Sequence, residues 1–214
     1  MIKIYHVPGT RSIRVIWLCE ELAVPYESVP VDFSPEYRAS PEWRELNPVG
    51  KVPVMIDERP GQDGVTMFES GAMVEYVLNR YGAGRLRPSL GTPAHAMYLQ
   101  WSWFAEATFA RPLGEIANHR REFPGDAEIP AVIGEMKNRA RACLDALEQT
   151  LADQDYLLGD AFCAADIMMG YTVLLTRLFK VLGEDHPRVQ NYFSRLAERP
   201  GFQRATVDIP AGRY

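Results

Sequence analysis

A change of sequence pattern near residue 85 divides this chain of 214 residues into two halves. The first half contains short runs rich in β-branched and aromatic residues, separated by helical periodicity, which predicts a mixed α/β domain. These runs are Ile2 to Val7, Tyr26 to Phe33, Val52 to Ile56 and Val65 to Phe68. The second half has helical periodicity without strand-like runs. We therefore expect an α/β domain over residues 1–84 and an all-helical bundle over 92–214.

Helical spacing sets the order of elements in the first half. Val15, Leu18, Cys19 and Leu22 follow the i, i+3, i+4, i+7 pattern between the first two runs, and a second such pattern ends at Tyr81. The predicted order is β-α-β, then an irregular stretch, then β-β-α.

Two signals predict helices in the second half. Thr92 and Pro93 suit the N-cap and first position of a helix that extends to about Arg120. The segment from Ile167 to Leu182 is apolar nearly all round, which predicts a helix buried by its neighbours. Just before it, Asp166 is expected to cap the helix start, paired with Cys163 where a capping box prefers Ser or Thr.

Composition excludes several classes of function. Lys and Arg number 23 against 28 Asp and Glu, and the net charge of -5 comes without a basic block, so we expect no nucleic-acid partner. No apolar stretch approaches the roughly 20 residues that span a bilayer, and no leader pattern follows Met1, so we expect a cytoplasmic protein without a membrane partner. Three widely spaced cysteines and four scattered histidines predict neither a disulfide framework nor a metal site.

Pro53 breaks a local rule, because proline cannot donate to a sheet ladder and yet it lies inside a strand-like run. A cis bond between Val52 and Pro53 is one explanation, and it turns the Val52 N–H and C=O out of the sheet, toward a ligand. An extended peptide then pairs with this backbone as an added strand. An ordinary proline in an edge strand explains this feature alone equally well.

Glu69 and Ser70 follow the fourth run and open the next predicted helix. A helix N-terminus with a hydroxyl donor suits a carboxylate, and Glu69 suits an ammonium group, so the pair suits an amino acid head group. Taken by themselves, the two residues are better explained as an N-cap and a dipole-compensating acid. Thr10 and Ser12, in the Pro8-Gly9-Thr10-Arg11-Ser12 turn before the first helix, are likewise caps or functional hydroxyls.

Together these stretches resemble the cytosolic glutathione transferase family over essentially the whole chain. The resemblance rests on Pro8-Gly9-Thr10, on Asn47 through Val54, on Phe68 through Val77, and on the helical second half. It implies a thioredoxin-like first domain with a cis proline that binds glutathione, and a helical domain that supplies most of a pocket for a second substrate. It also implies a homodimer.

The resemblance assigns roles to individual residues. Val52 pairs with the cysteinyl backbone of glutathione beside Pro53, and Glu69 with Ser70 holds the γ-glutamyl end. Lys51 and Arg38 are expected to meet the glycine carboxylate. Phe104 and Tyr171 are expected in the pocket for the second substrate.

The hydroxyl that activates the thiol is predicted to belong to Thr10, with Ser12 as the alternative. The serine-type branches of the family place a hydroxyl directly after a Pro-Gly pair such as Pro8-Gly9. The tyrosine-type and cysteine-type branches fit poorly, because no tyrosine or cysteine lies between Pro8 and Ile13.

The resemblance implies an enzyme that activates the glutathione thiol for attack on a hydrophobic electrophile, a role in detoxification, with glutathione as co-substrate and no metal. A glutathione-dependent disulfide reductase or peroxidase on the same fold is the first alternative. A non-enzymatic binding or scaffold module is a weaker alternative, because Thr10, Lys51, Val52-Pro53 and Glu69-Ser70 are all intact.

Overall fold

The computed structural model describes residues 1–58 and 63–209. Contacts between Cα atoms divide the chain into two compact units. The first unit is Met1–Arg85 together with the segment that begins at Arg199, and the second is Leu86–Glu198. The domain boundaries 1–84 and 92–214 stay a prediction.

The elements follow one another in chain order. Those of the first half are β1 (Ile2–His6), α1 (Ser12–Leu22), β2 (Tyr26–Pro30), α2 (Pro35–Ala39), α3 (Pro41–Leu46), β3 (Val54–Asp57), β4 (Val65–Phe68) and α4 (Ser70–Tyr81). Those of the second half are α5 (Pro93–Trp103), a π-helical segment (Phe104–Phe109), α6 (Ala110–Glu122), a 3-10 turn (Gly125–Ala127), α7 (Pro130–Thr150), α8 (Ala164–Leu178), α9 (Pro187–Ala197) and α10 (Pro200–Thr206).

The first unit is built on a four-stranded sheet in the order β2-β1-β3-β4. Strand β1 is parallel to β2 and antiparallel to β3, and β3 is antiparallel to β4. Helix α1 buries residues over nearly its whole circumference, because β1, α4 and α10 all pack against it. This mixed sheet with a helical second unit confirms the predicted fold class.

Helix α10 belongs to the first unit because it packs on α1. Phe202 meets Trp17 edge to face, with ring centroids 4.9 Å apart. Arg199 binds the carboxylate of Glu21 through two hydrogen bonds of 2.9 and 2.7 Å. The C-terminal segment is thereby fixed against the N-terminal helix.

The structure differs from the sequence predictions in several details. Strand β3 begins at Val54, two residues after the predicted start at Val52, because Pro53 cannot donate to the ladder. The Val52–Pro53 bond is cis, as the resemblance implied. The stretch predicted as irregular contains α2 and α3, each begun by a serine cap and a proline.

The second unit consists of packed helices. Oγ1 of Thr92 accepts a hydrogen bond from the N–H of His95 at 3.2 Å and begins α5, as predicted. The helix predicted to reach Arg120 is interrupted by the π-helical segment, after which α6 continues it. Helix α8 is buried over most of its length, although it starts before Ile167 and ends at Leu178. Within residues 1–58 and 63–209, no helix is both long and apolar enough to cross a bilayer.

Candidate active site

The strand registers bring the predicted site segments to one end of the sheet. Tyr5, near the carboxyl end of β1, pairs with Val54 at the amino end of β3, and Val54 pairs with Phe68 at the carboxyl end of β4. The turn that carries Thr10, the cis proline and the Glu69-Ser70 pair therefore all adjoin the same edge. This edge is the candidate active site.

Thr10 and Ser12 lie together at the start of α1, with their hydroxyl oxygens 2.8 Å apart. Thr10 is partly exposed, whereas Ser12 is fully buried. The Thr10 hydroxyl donates to the carbonyl oxygen of Val7 at 2.7 Å. Of the two predicted hydroxyls, Thr10 is therefore the one that a ligand can reach.

A histidine and an aspartate extend this pair inward and then to the C-terminal segment. Nδ1 of His6 lies 2.7 Å from Oγ of Ser12, and Nε2 of the same ring lies 2.8 Å from Oδ2 of Asp208. His6 is buried at 5% exposure, while the Asp208 side chain is 45% exposed. No sequence motif or periodicity connects His6 with Asp208, which lie 202 positions apart.

Val52 lies outside the strand ladder, directly before the cis proline. Within residues 1–58 and 63–209, neither its N–H nor its C=O forms a hydrogen bond. The neighbouring loop is fixed, since Nδ2 of Asn47 donates to the carbonyl oxygen of Lys51 at 2.7 Å. The Lys51 side chain is exposed, and Pro53 is buried.

Glu69 adopts an unusual backbone conformation directly before α4. Its φ of 77° and ψ of 103° lie in a region that residues with a side chain rarely adopt, and such outliers cluster at ligand sites. The Glu69 side chain is exposed, and Ser70 beside it is buried. Sequence patterns carried no sign of this backbone conformation.

Arg14 was not predicted as part of the site. Its fully buried guanidinium donates from Nη1 to Oγ of Ser70 at 3.2 Å. Among the described residues, no acceptor takes the hydroxyl hydrogen of Ser70. The Ser70 oxygen thus accepts a hydrogen bond from the Arg14 guanidinium, and the Ser70 hydroxyl can still donate its hydrogen to a ligand.

Arg38 lies in α2, in the segment that follows β2. His6 pairs with Pro30, so this segment leaves the sheet at the same edge as the candidate site. The Arg38 guanidinium stacks over the Phe33 ring at 4.5 Å. Its carbonyl approaches Gly50 so closely that a Cβ there would lie 2.6 Å from the oxygen, and the φ of 62° at Gly50 also requires glycine.

The residues predicted for a second-substrate pocket lie in the helical unit. Phe104 opens the π-helical segment, half-buried and edge to face with Trp101 at 5.3 Å. Tyr171 is buried at 3% exposure in α8. A cavity of about 930 Å³ lies among the π-helical segment, α6 and α7, and neither residue lines it.

The cysteines are poor nucleophiles. All three are buried thiols, and burial raises the pKa of Cys143 to about 11 and that of Cys19 to about 12. Burial, with the adjacent Asp166 carboxylate, raises the pKa of Cys163 as well. In the part of the chain that the structure describes, no three His, Cys, Asp or Glu side chains converge as metal ligands.

Family models match both units. Residues 1–79 match Glutathione S-transferase, N-terminal domain, and residues 105–195 match Glutathione S-transferase, C-terminal domain. Glutathione S-transferase 1 of Triticum aestivum is 30% identical, with 98% of this chain and 95% of that protein covered. Disulfide-bond oxidoreductase YfcG of Escherichia coli is 25% identical, with 99% and 97% covered.

Solved structures agree with this assignment. A Burkholderia graminis glutathione transferase with two bound glutathione molecules per subunit has a TM-score of 0.84 at 26% identity, over 99% of this chain and 89% of that one. The glutathione transferase URE2P6 of Phanerochaete chrysosporium, in complex with oxidised glutathione, has a TM-score of 0.84 at 26% identity, over 95% and 94%. The chain therefore belongs to the glutathione S-transferase family and is an enzyme of that class, a glutathione transferase.

Proposed function

We propose that the chain binds glutathione at the candidate active site, ionises its thiol and transfers the sulfur to a hydrophobic electrophile. The observation that carries this proposal is the convergence of three segments at one sheet edge: the Thr10 turn, the unpaired Val52 backbone and the start of α4. Each presents a group that complements one part of an extended γ-glutamyl tripeptide. The cysteinyl part pairs with Val52 as an added strand.

Both ends of the tripeptide are charged, and the candidate active site contains groups that complement each end. The Ser70 hydroxyl and the N-terminus of α4 bind the γ-glutamyl carboxylate, with Glu69 on the ammonium group. Lys51 and Arg38 bind the glycine carboxylate. The Lys51 side chain is exposed, which leaves its ammonium group accessible to a ligand.

Thr10 is the residue that meets the sulfur. A thiol with a pKa near 8.5 is only a few per cent thiolate at neutral pH, and a shift of roughly 2 units, about 2.7 kcal/mol, makes the thiolate the major form. A hydrogen bond from Thr10 to the charged sulfur supplies about 1.5 to 3 kcal/mol. The N-terminus of α1, whose first turn has no acidic residue, adds about 0.3 to 1 kcal/mol.

Transfer follows from this thiolate. The cysteinyl thiol gives its proton to solvent, and the thiolate forms a bond to the electrophilic carbon. For a chloroaromatic, chloride leaves with the bonding electrons. The Thr10 hydroxyl remains a donor throughout, so the reaction needs no further base at the sulfur.

A second candidate function is reduction of small disulfides by glutathione. It is supported by the relative named Disulfide-bond oxidoreductase and by the similar structure that contains oxidised glutathione. The buried cysteines of this chain cannot form the mixed disulfide, so a glutathione thiolate at Thr10 would attack the disulfide itself. One sulfur then leaves as the thiolate, and a second glutathione completes the reduction.

We also propose that the enzyme is a cytoplasmic homodimer, in which residues 1–84 form the glutathione-binding domain and residues 92–214 the helical domain. The second-substrate pocket, with Phe104 and Tyr171, belongs to the helical unit in this proposal. The family supports the dimer, and so does the exposure of large apolar side chains on α5, where Trp103 is 65% exposed.

A substrate panel tests the proposed function. Wild type and Thr10→Val are assayed with glutathione against a chloroaromatic, an organic peroxide and a small disulfide. We expect conjugation of the chloroaromatic by wild type and a lower rate in the variant at neutral pH. Turnover of the disulfide alone would favour the second candidate, and absence of glutathione binding at millimolar concentration would refute both.

A further inference from the structure

A continuous hydrogen-bonded chain leads from the C-terminal segment to the Thr10 hydroxyl. It runs from Asp208 to His6, from His6 to Ser12, and from Ser12 to Thr10, over distances of 2.8, 2.7 and 2.8 Å. Thr10 then donates to the carbonyl oxygen of Val7 at 2.7 Å. The inner members of the chain, His6 and Ser12, are buried, so water does not replace their contacts.

Counting hydrogens sets the direction of every bond in this chain. The Val7 carbonyl and the Asp208 carboxylate stand at the two ends, and both only accept. Thr10 donates its one hydroxyl hydrogen to the Val7 carbonyl oxygen. In the bond between Thr10 and Ser12, the hydrogen therefore comes from Ser12. His6 must then donate from Nδ1 to Ser12 and from Nε2 to Asp208.

The four bonds therefore coexist only when both ring nitrogens of His6 carry hydrogen. The ring is then an imidazolium paired with the Asp208 carboxylate. The Nδ1 hydrogen of His6 then points to Ser12 and the Ser12 hydrogen points to Thr10, so Thr10 receives a hydrogen and keeps its own to donate. When a thiolate takes the place of the Val7 carbonyl as the last acceptor, the same count holds.

We infer that His6 and Asp208 are positioning residues, which act through Ser12 to orient the Thr10 hydroxyl as a donor to the glutathione thiolate. This inference rests on the proposed function. With a bare Nδ1, Ser12 would turn its hydrogen to His6, and Thr10 would turn its own toward Ser12 and away from the sulfur. The Asp208 carboxylate opposes this reversal, because its negative charge favours the ring that carries hydrogen on both nitrogens.

The fold holds Asp208 in place for this role. The residue follows α10, which Arg199 and Phe202 anchor to α1 through Glu21 and Trp17. Helix α1 in turn begins at Ser12. The two ends of this series of hydrogen bonds therefore adjoin two helices, α1 and α10, that pack directly on each other.

Substitution of Asp208 tests the inference, because its half-exposed side chain can be changed without opening the core. Asp208→Ala removes the acceptor, and Asp208→Glu retains a carboxylate. Asp126→Asn, in an exposed turn of the helical unit, is the matched loss of one negative charge. His6→Gln is the second disruption, since its single amide group cannot reach both Ser12 and Asp208.

The readout is the pKa of the bound glutathione thiol, followed by thiolate absorbance as pH is raised. We expect Asp208→Ala and His6→Gln to raise this midpoint by roughly 0.5 to 1 unit, which is about a three- to tenfold decrease in the ionisation constant of the bound thiol. Asp208→Glu should recover at least half of the shift, and Asp126→Asn should show none. Binding of S-methylglutathione, which has no thiol, should stay within twofold of wild type in all variants.

The outcomes separate this inference from the function on which it rests. A wild-type midpoint equal to that of free glutathione, or no binding of S-methylglutathione, would refute the proposed function and the inference with it. A lowered wild-type midpoint that Asp208→Ala and His6→Gln both leave unchanged would refute the inference alone. If Asp126→Asn shifted the midpoint as much as Asp208→Ala, the effect would come from the net charge of the protein. That result would also overturn the inference.

Discussion

The guanidinium of Arg14 donates a hydrogen bond to Oγ of Ser70 over 3.2 Å, and both side chains are buried. This contact joins α1 to the N-terminus of α4. Because Arg14 donates, the Ser70 oxygen acts as acceptor and its hydrogen is left for a ligand. Ser70 is the first residue of α4 and does not cap it, since the N-cap position is Glu69 and no side chain caps this helix.

Ser70→Ala should weaken glutathione binding roughly tenfold or more, because a hydrogen bond to a carboxylate is worth about 1.5 to 3 kcal/mol. Ser70→Thr retains the hydroxyl and should lose less. Titration calorimetry with S-methylglutathione measures both. Equal affinities of wild type and Ser70→Ala would mean that Ser70 serves the fold alone.

Asp166 should be a structural residue whose loss destabilises the helical unit. Its carboxylate accepts hydrogen bonds from the N–H groups of Leu157 and Cys163 and from the Tyr192 hydroxyl, at 2.8 to 3.0 Å. Asp166→Ala orphans these buried donors and should lower the free energy of unfolding by at least about 3 kcal/mol. Asp166→Asn, which retains one acceptor oxygen, should cost less. Urea denaturation distinguishes the two, and equal stability of wild type and Asp166→Ala would contradict the assignment.

The cysteines should resist alkylation in the native enzyme. A thiol with a pKa of about 11, as at Cys143, is about one part in a thousand thiolate at pH 8, a hundredfold less than one of pKa 9. Since the pKa is raised, the reactive fraction grows only as pH rises toward 11. Mass spectrometry after iodoacetamide at pH 8 should find the thiols unmodified without urea and modified with it. Rapid native modification with loss of activity would give a cysteine a catalytic role.

The homodimer is tested by light scattering. At assay concentrations the measured mass should be twice the monomer mass of 24.2 kDa. The exposed indole of Trp103 suggests a matched test, since Trp103→Ala should weaken an interface that includes α5. A mass of 24.2 kDa for wild type would contradict the dimer.

Local sequence signals predicted the parts of the site that lie at the ends of secondary elements. Pro53 and Ser70 lie next to strands whose hydrophobic patterns are clear. The family resemblance then supplied the arrangement of the sheet that places the two residues near each other. The position of Thr10 could be predicted for the same reason. The strand boundary at Val54 was missed by two residues because residue types alone do not show where a ladder starts.

Sequence patterns could not predict the long-range contacts. His6 and Asp208 share no periodicity and no motif, and only the packing of α10 on α1 joins them. The π-helical segment was also unpredicted, because one wider turn hardly alters apolar spacing over six residues. Helices α2 and α3 had visible signals in Ser34-Pro35 and Ser40-Pro41, which mark two helix starts.

The central claim is that the Thr10 hydroxyl stabilises the bound thiolate, and the pKa of glutathione bound to Thr10→Val tests it most directly. This variant keeps the shape of the side chain and removes the donor, while Thr10→Ser keeps the donor and loses a methyl group. We predict that the thiolate absorbance midpoint rises by one to two units in Thr10→Val, with S-methylglutathione affinity nearly unchanged, and by less than half a unit in Thr10→Ser. A midpoint in Thr10→Val equal to that of wild type would show that the backbone and the helix dipole ionise the thiol without this hydroxyl, and would contradict the account.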